Sequence, residues 1–188
     1  MLAVLGSVTP PGRLRLALEQ AVDRARGEGR GTELIDLAAL RIPFADGRSP
    51  EQCGGDTAAV VEAMASASSL VLATPVYRGS MTGALKNLLD HVPVSALEGK
   101  VVGLAAMGGS PHHYLGADRH LRDVLAFFGA VPHPVPVYLT GRDFDDGAPT
   151  PGAGDALDAL FSGVIAMERA LRSRERSGGR PLAAAMVA

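Results

Sequence analysis

The 188-residue chain has one cysteine, no tryptophan and almost no excess of charge. A single thiol, Cys53, excludes an intramolecular disulfide and a metal site built from cysteines. It follows Gln52 in a turn-rich stretch with no adjacent histidine or base, and is expected to be inert. With 18 Lys and Arg against 20 Asp and Glu, the net charge of −2 offers no field for gripping nucleic acid or an anionic membrane. No apolar run approaches the ~20 residues that cross a bilayer. Met1–Gly6 carries no basic segment of the kind that opens an export signal. The expectation is a cytoplasmic protein without membrane or nucleic-acid partners.

Several signatures of catalysis and binding are missing too. Neither Gly-x-Gly-x-x-Gly nor Gly-x-x-x-x-Gly-Lys occurs, which removes the usual dinucleotide and nucleoside-triphosphate loops. Gly79-Ser80-Met81-Thr82-Gly83 has the wrong spacing for a serine-nucleophile turn, and Asp143–Gly147 lacks the register of a calcium loop. His112 and His113 are adjacent, with no cysteine or acidic pair at ligand spacing, so no metal site is expected.

What remains is ordinary globular material, 47% apolar and 20% charged, in a length that suits one domain. Met1–Gly6, Thr32–Leu37, Leu70–Ala73, Val101–Ala106 and Val135–Leu139 read as strands. Between them apolar residues recur at helical spacing, over Leu14–Ala25, Val60–Ala65, Met81–Val92 and Leu121–Phe128. A last helix carries Leu157 to Leu171, with Asp155 and Asp158 at its start and Arg169, Arg172 and Arg174 at its end, matching the macrodipole. Apolar strands alternating with helices define a parallel sheet covered on both faces. The domain is expected over residues 1–172, with a frayed tail rich in Arg, Gly and Ala over 173–188.

Open sheets of this kind bind ligands beyond the carboxyl ends of their strands, where strand order reverses. Three loops belong there. Gly6–Gly12, leading into Arg13, offers backbone N–H groups, the Ser7 and Thr9 hydroxyls and one cation to a phosphate; the alternative is hydroxyls that merely cap the next helix. Thr74–Gly83 is held tight by Pro75 and Gly79. It can present backbone N–H and C=O groups to a flat polar ring, with Tyr77 and Arg78 at the same mouth, or serve only as a capped helix entrance. In Met107–His113 the paired Gly108 and Gly109 let a ligand approach the backbone, and one histidine suits a polar contact to a bound ring, His112 being better suited to solvent. The long Thr140–Gly154 loop is either solvated or beside an entrance.

Together these loops carry a resemblance. Gly6-Ser7, Ala73-Thr74-Pro75-Val76-Tyr77-Arg78-Gly79-Ser80, and Thr82-Gly83-Ala84-Leu85-Lys86-Asn87-Leu88-Leu89-Asp90 resemble the NAD(P)H-dependent FMN reductases of the flavodoxin-like superfamily. Leu97–Val102, Gly108-Gly109-Ser110, His113 and Asp118 extend the likeness over roughly residues 1–170. It is strongest to the reductase halves of two-component flavin monooxygenases of the alkanesulfonate type. The resemblance implies a flavodoxin-like three-layer sandwich, with a five-stranded parallel sheet in the order 2-1-3-4-5. It also implies FMN with NADPH or NADH, a homodimer or homotetramer, and a monooxygenase partner that takes the reduced flavin. By the same likeness Ser7, Thr9 and Arg13 hold the FMN phosphate. Pro75, Val76, Tyr77 and Arg78 contact the isoalloxazine, while Gly108, Gly109, Ser110 and His113 line its other edge. No catalytic side chain is implied, because hydride passes between cofactors. Two places depart from the family pattern: Thr9 and Gly12 stand where Arg and Ser are usual, and Asp118 is followed by Arg119-His120.

Three other readings stay open. One is an FMN-retaining reductase of quinones, azo dyes or metal oxyanions. Another is a flavodoxin-like electron carrier, disfavoured by a net charge of only −2 and 4% aromatics. The third is a flavin-free binding protein on the same fold.

Overall fold

In the computed structural model, which describes residues 1–9 and 12–176, the strand β1 (Leu2–Leu5) is buried along its whole length. It is followed by α1 (Arg13–Gly27), β2 (Glu33–Asp36), the single turn α2 (Pro50–Cys53) and α3 (Thr57–Ser66). Then come β3 (Ser69–Pro75), α4 (Gly83–His91), the short α5 (Val94–Leu97) and β4 (Val101–Met107). After α6 (Tyr114–Phe127) the chain forms β5 (Val131–Pro132), β6 (Val137–Leu139), the pair β7 (Phe144–Asp145) and β8 (Ala148–Pro149), and α7 (Pro151–Arg176).

The period of two along each strand sorts its side chains into two layers. Leu2, Val4, Leu70, Leu72, Val102 and Leu104 pack with α3, α4, α5 and α6 on one face. Ala3, Leu5, Val71, Ala73, Val101 and Ala105 pack with α1 and α7 on the other. Each fully buried leucine or phenylalanine, such as Leu88 or Phe161, contributes about 1.5–3 kcal/mol. All strand pairings in the main sheet are parallel, in the order β2-β1-β3-β4-β5, with β6 also on β4. This is the flavodoxin-like arrangement expected. The order reverses between β1 and β3, so the loops leaving them diverge and open a crevice.

The fifth strand differs from its expected span of Val135–Leu139. It is split into β5 and β6, both on β4, because Pro134, Val135 and Pro136 leave the ladder. Arg122 of α6 takes the freed carbonyls, donating to His133 O at 2.9 Å and Pro134 O at 3.3 Å. The 140–154 stretch is not a plain loop either. Its Asp146-Gly147 turn has φ values of 46° and 85°, the geometry that joins β7 to β8 as a two-residue hairpin.

The last helix begins earlier than its apolar stripe, at Pro151, with Thr150 Oγ1 accepting from Ala153 N at 3.3 Å. Asp155 and Asp158 therefore lie beyond the first turn, which holds no acid. Asp158 instead ties α7 to α1, accepting from Arg24 Nε at 2.7 Å. The helix continues through Arg176, and the rest of the expected tail lies outside the described residues. Among the described residues no helix is long and apolar enough to cross a membrane.

Candidate active site

At the end of β1 the chain turns away from the sheet while staying fixed to it. Gly6 N donates to Ala73 O at 2.7 Å, and Gly6 O accepts from the buried Thr82 hydroxyl. The hydroxyls of Ser7 and Thr9 bond to each other at 3.0 Å. They do not cap α1: its N-cap is Gly12, with no side-chain bond to the first turn and no acidic residue in it. Among the described residues no side chain satisfies the first-turn N–H groups, the positive end of the helix dipole.

Two arginines flank that helix end. Arg15 is engaged, donating to Glu19 Oε1 at 2.8 Å and pairing with Asp36 at 3.0 Å. The Glu19 bond, chiefly, raises its pKa. Arg13 makes no hydrogen bond or ion pair among the described residues; its guanidinium lies 5.6 Å from the centroid of the Phe144 ring. All five of its donors are available to an anion.

The loop after β3 is a rigid turn. Tyr77 and Ser80 exchange backbone bonds of 2.9 and 3.1 Å, and the two residues between them, Arg78 and Gly79, have φ values of 53° and 77°. This is a type I′ turn with an arginine at its first central position. Thr74 and Thr82, both buried, fix its base: Thr82 N donates to Thr74 Oγ1 at 3.1 Å, and Thr82 Oγ1 accepts from Leu85 N at 3.1 Å as the cap of α4. From α6, His120 Nδ1 lies 2.8 Å from Ser80 Oγ. Gly116 lies so near the Gly79 carbonyl that any side-chain carbon would collide with it.

The loop after β4 is clasped from β6. Gly108 N donates to Leu139 O at 2.9 Å, and Tyr138 OH donates to Ser110 O at 2.7 Å. The Tyr138 hydroxyl fills the space that a Gly108 side chain would need. Burial raises the pKa of Tyr138, which keeps it a donor.

Between the three loops lies a cleft of about 350 Å³, within the range of small-molecule sites. Ser7, Thr9 and Arg13 line one end, Pro75, Val76 and Tyr77 one wall, and Gly108 and Gly109 another. The structure thus brings together most of the residues expected there. Arg78, Ser110 and His113 stand outside its lining. Arg78 is at the turn's tip, and Ser110 caps the 3₁₀ turn Pro111–His113, its Oγ 3.4 Å from His113 Nδ1. The backbone N–H groups of Val76 and Tyr77 are not free for a ring, since they bond to Met107 O and Ser80 O. Those of Arg78 and Gly109 have no partner among the described residues.

Larger hollows lie elsewhere. One of about 510 Å³ is at the amino end of β4, but its cations are taken: Lys100 donates to the Met64 and Ala65 carbonyls that end α3, and Arg172 pairs with Glu168. Among the described residues no cluster of ligands for a metal occurs. Cys53 does have a histidine beside it, contrary to the sequence reading. His91, 38 positions away, places Nδ1 3.8 Å from Sγ while its Nε2 bonds Pro43 O at 2.9 Å. The pair is buried and does not line the cleft.

Sequence reasoning gave no role to Tyr138, Gly116, Gly141 or Phe144, which brace or line the site from other elements. Thr82 carried a legible signal, a hydroxyl residue immediately before a helical stripe. The others are brought in by contacts between elements, which sequence spacing does not encode.

An uncapped helix start after β1, beside a cleft lined by glycine and proline residues, marks an α/β protein with a candidate ligand site at the carboxyl edge of its sheet. The chain belongs to the NADPH-dependent FMN reductase family, whose profile matches residues 1–145. It is 38% identical over 148 residues to an FMN reductase (NADPH) of Pseudomonas aeruginosa, covering 78% of this chain and 79% of that protein. An NAD(P)H-dependent FAD/FMN reductase of Geobacillus thermodenitrificans is 39% identical over 114 residues, 61% of this chain and 62% of the relative. Among solved structures, an NADH:FMN oxidoreductase in apo form superposes with a TM-score of 0.67 at 26% identity, over 88% of each chain. The family resemblance read from the loops is borne out.

Proposed function

We propose that the chain is an NAD(P)H-dependent FMN reductase, and that residues 1–172 carry the activity. The observation that carries this reading is the unpaired Arg13 at the uncapped start of α1, in the same cleft as the flat Pro75–Tyr77 and Gly108–Gly109 walls. These residues fit FMN: the α1 N-terminus, Ser7, Thr9 and Arg13 suit its phosphate, and the two walls suit its ring. FMN held there would supply the chemistry, as a hydride acceptor for the nicotinamide. The protein's part is positional. The braced 77–80 turn and the Tyr138 clasp fix the two walls between which a flavin ring would be held for the nicotinamide to approach. Half-exposed Tyr77 shields the outer side. The Gly109 N–H, which lines the cleft and has no partner among the described residues, would donate to a bound flavin ring.

Reduced flavin then leaves for a separate monooxygenase in the cytoplasm. The chain works as a homo-oligomer through α4 and α6, where Phe127 is 76% exposed beside Leu89, Val92 and Val124.

NADPH and NADH oxidation, followed with and without added FMN, tests the assignment. Turnover that requires and saturates with FMN is the expected result. A yellow protein active only with a quinone or dye would instead make FMN a resident group. No oxidation and no flavin binding would reject the enzyme.

A further inference from the structure

Arg13 is held differently from the arginines around it. Arg15 and Arg24 spend their guanidinium edges on carboxylates, whereas Arg13 rests on the Phe144 ring. The Gly141 backbone leaves it room, since a Cβ there would come within 3.3 Å of Arg13 Nη1. A ring contact uses no N–H donor, so the edge of the guanidinium stays free for a two-pronged grip on phosphate.

The platform is itself fixed. Phe144 is buried, and its strand β7 is pinned to β8. Ahead of it, Thr140 N and Oγ1 donate to Asp143 Oδ2 at 2.7 and 2.9 Å, and Thr150 N donates to Asp143 O at 2.9 Å. An arginine placed in advance loses less rotamer freedom when its ligand arrives.

We propose that Phe144, which lies outside the phosphate-type loop, is a positioning residue: it holds Arg13 over the open end of α1 and thereby gives the chain its preference for a phosphorylated flavin over riboflavin. The inference rests on the FMN reading above and names the element that sets its selectivity.

The test is a titration of the full chain with FMN and with riboflavin, followed by flavin fluorescence and read as the ratio of the two Kd values. Riboflavin lacks the phosphate, so a general loss of structure moves both Kd values and leaves the ratio alone. Arg13→Ala is expected to reduce the preference for FMN by about 10- to 100-fold, the range for a charge-assisted contact. Phe144→Leu should reduce it about two- to fivefold, and Phe144→Tyr, which keeps a ring, should restore it. In the Arg13→Ala background Phe144→Leu should change the ratio no further. The proposal is overturned if Phe144→Leu leaves the ratio at its wild-type value, weakens both flavins alike, or adds its full effect to that of Arg13→Ala. A wild-type chain that binds both flavins equally removes phosphate selection but keeps the flavin site. One that binds neither removes the FMN reading and the proposal with it.

Discussion

Arg78 occupies a backbone conformation that asparagine and glycine reach readily and arginine does not. Its φ of 53° sits in the left-handed region, which costs an ordinary residue roughly 1–2 kcal/mol. The cost is sustained because the turn is held on all sides: by the Tyr77–Ser80 backbone pair, by His120 on Ser80, and by Gly116 under Gly79. Relieving it should stabilise the fold. Arg78→Asn is expected to gain about 1 kcal/mol and to raise Tm by about 2–4 °C, read in a thermal melt of the flavin-free chain. A melt unchanged or lowered would mean that the Arg78 side chain compensates its own backbone.

The helices do more than cover the sheet, and α6 is the clearest case. Its Gly116 and His120 face the turn after β3, and its Arg122 gathers the carbonyls released where the fifth strand breaks. Gly116→Ala would drive a methyl group into the Gly79 carbonyl, a backbone atom that cannot rotate away, at a cost of about 1–3 kcal/mol in urea unfolding. Gly152→Ala in α7, where nothing lies within 4 Å, should be neutral or gain about 0.4–1 kcal/mol. Equal effects at the two positions would mean that helix propensity alone is at work. The contrast also marks what the sequence made legible. The apolar runs of β1, β3 and β4 and the stripes of α1, α4 and α6 announced themselves, because burial on both faces makes a strand apolar throughout and burial on one face gives a helix its period. Of the site, the loops at the ends of β1, β3 and β4 were readable from their glycines, prolines and hydroxyls. Phe144 and Tyr138 were not, since each acts on a residue from another element. The Asp146-Gly147 hairpin was readable in principle, being a strong short-range turn signal. Pro132, Pro134 and Pro136 likewise carried a signal for the break in the fifth strand, which the expected span Val135–Leu139 did not use.

At the scale of the whole molecule, the cleft is made by loops that meet only when the sheet is assembled. A ligand bridging them binds the folded chain and not the unfolded one. FMN at about 100 times its Kd should therefore add roughly 2.7 kcal/mol, raising Tm by about 5–10 °C. Absence of any shift at saturation would contradict a site built across the three loops. The broken fifth strand has a consequence for how such molecules can meet. Val131 N donates to Lys100 O and His133 N to Val102 O, so the odd-numbered N–H groups point inward to β4. Pro132, the β5 position whose N–H would point outward, has none, and Pro134 and Pro136 follow where the chain leaves the ladder. That margin of the sheet has no row of donors to offer a neighbouring strand, so extension of one molecule's sheet by another's is blocked there, in crowded solution as in any ordered assembly. Copies of this chain that associate along β5 must do so through side chains.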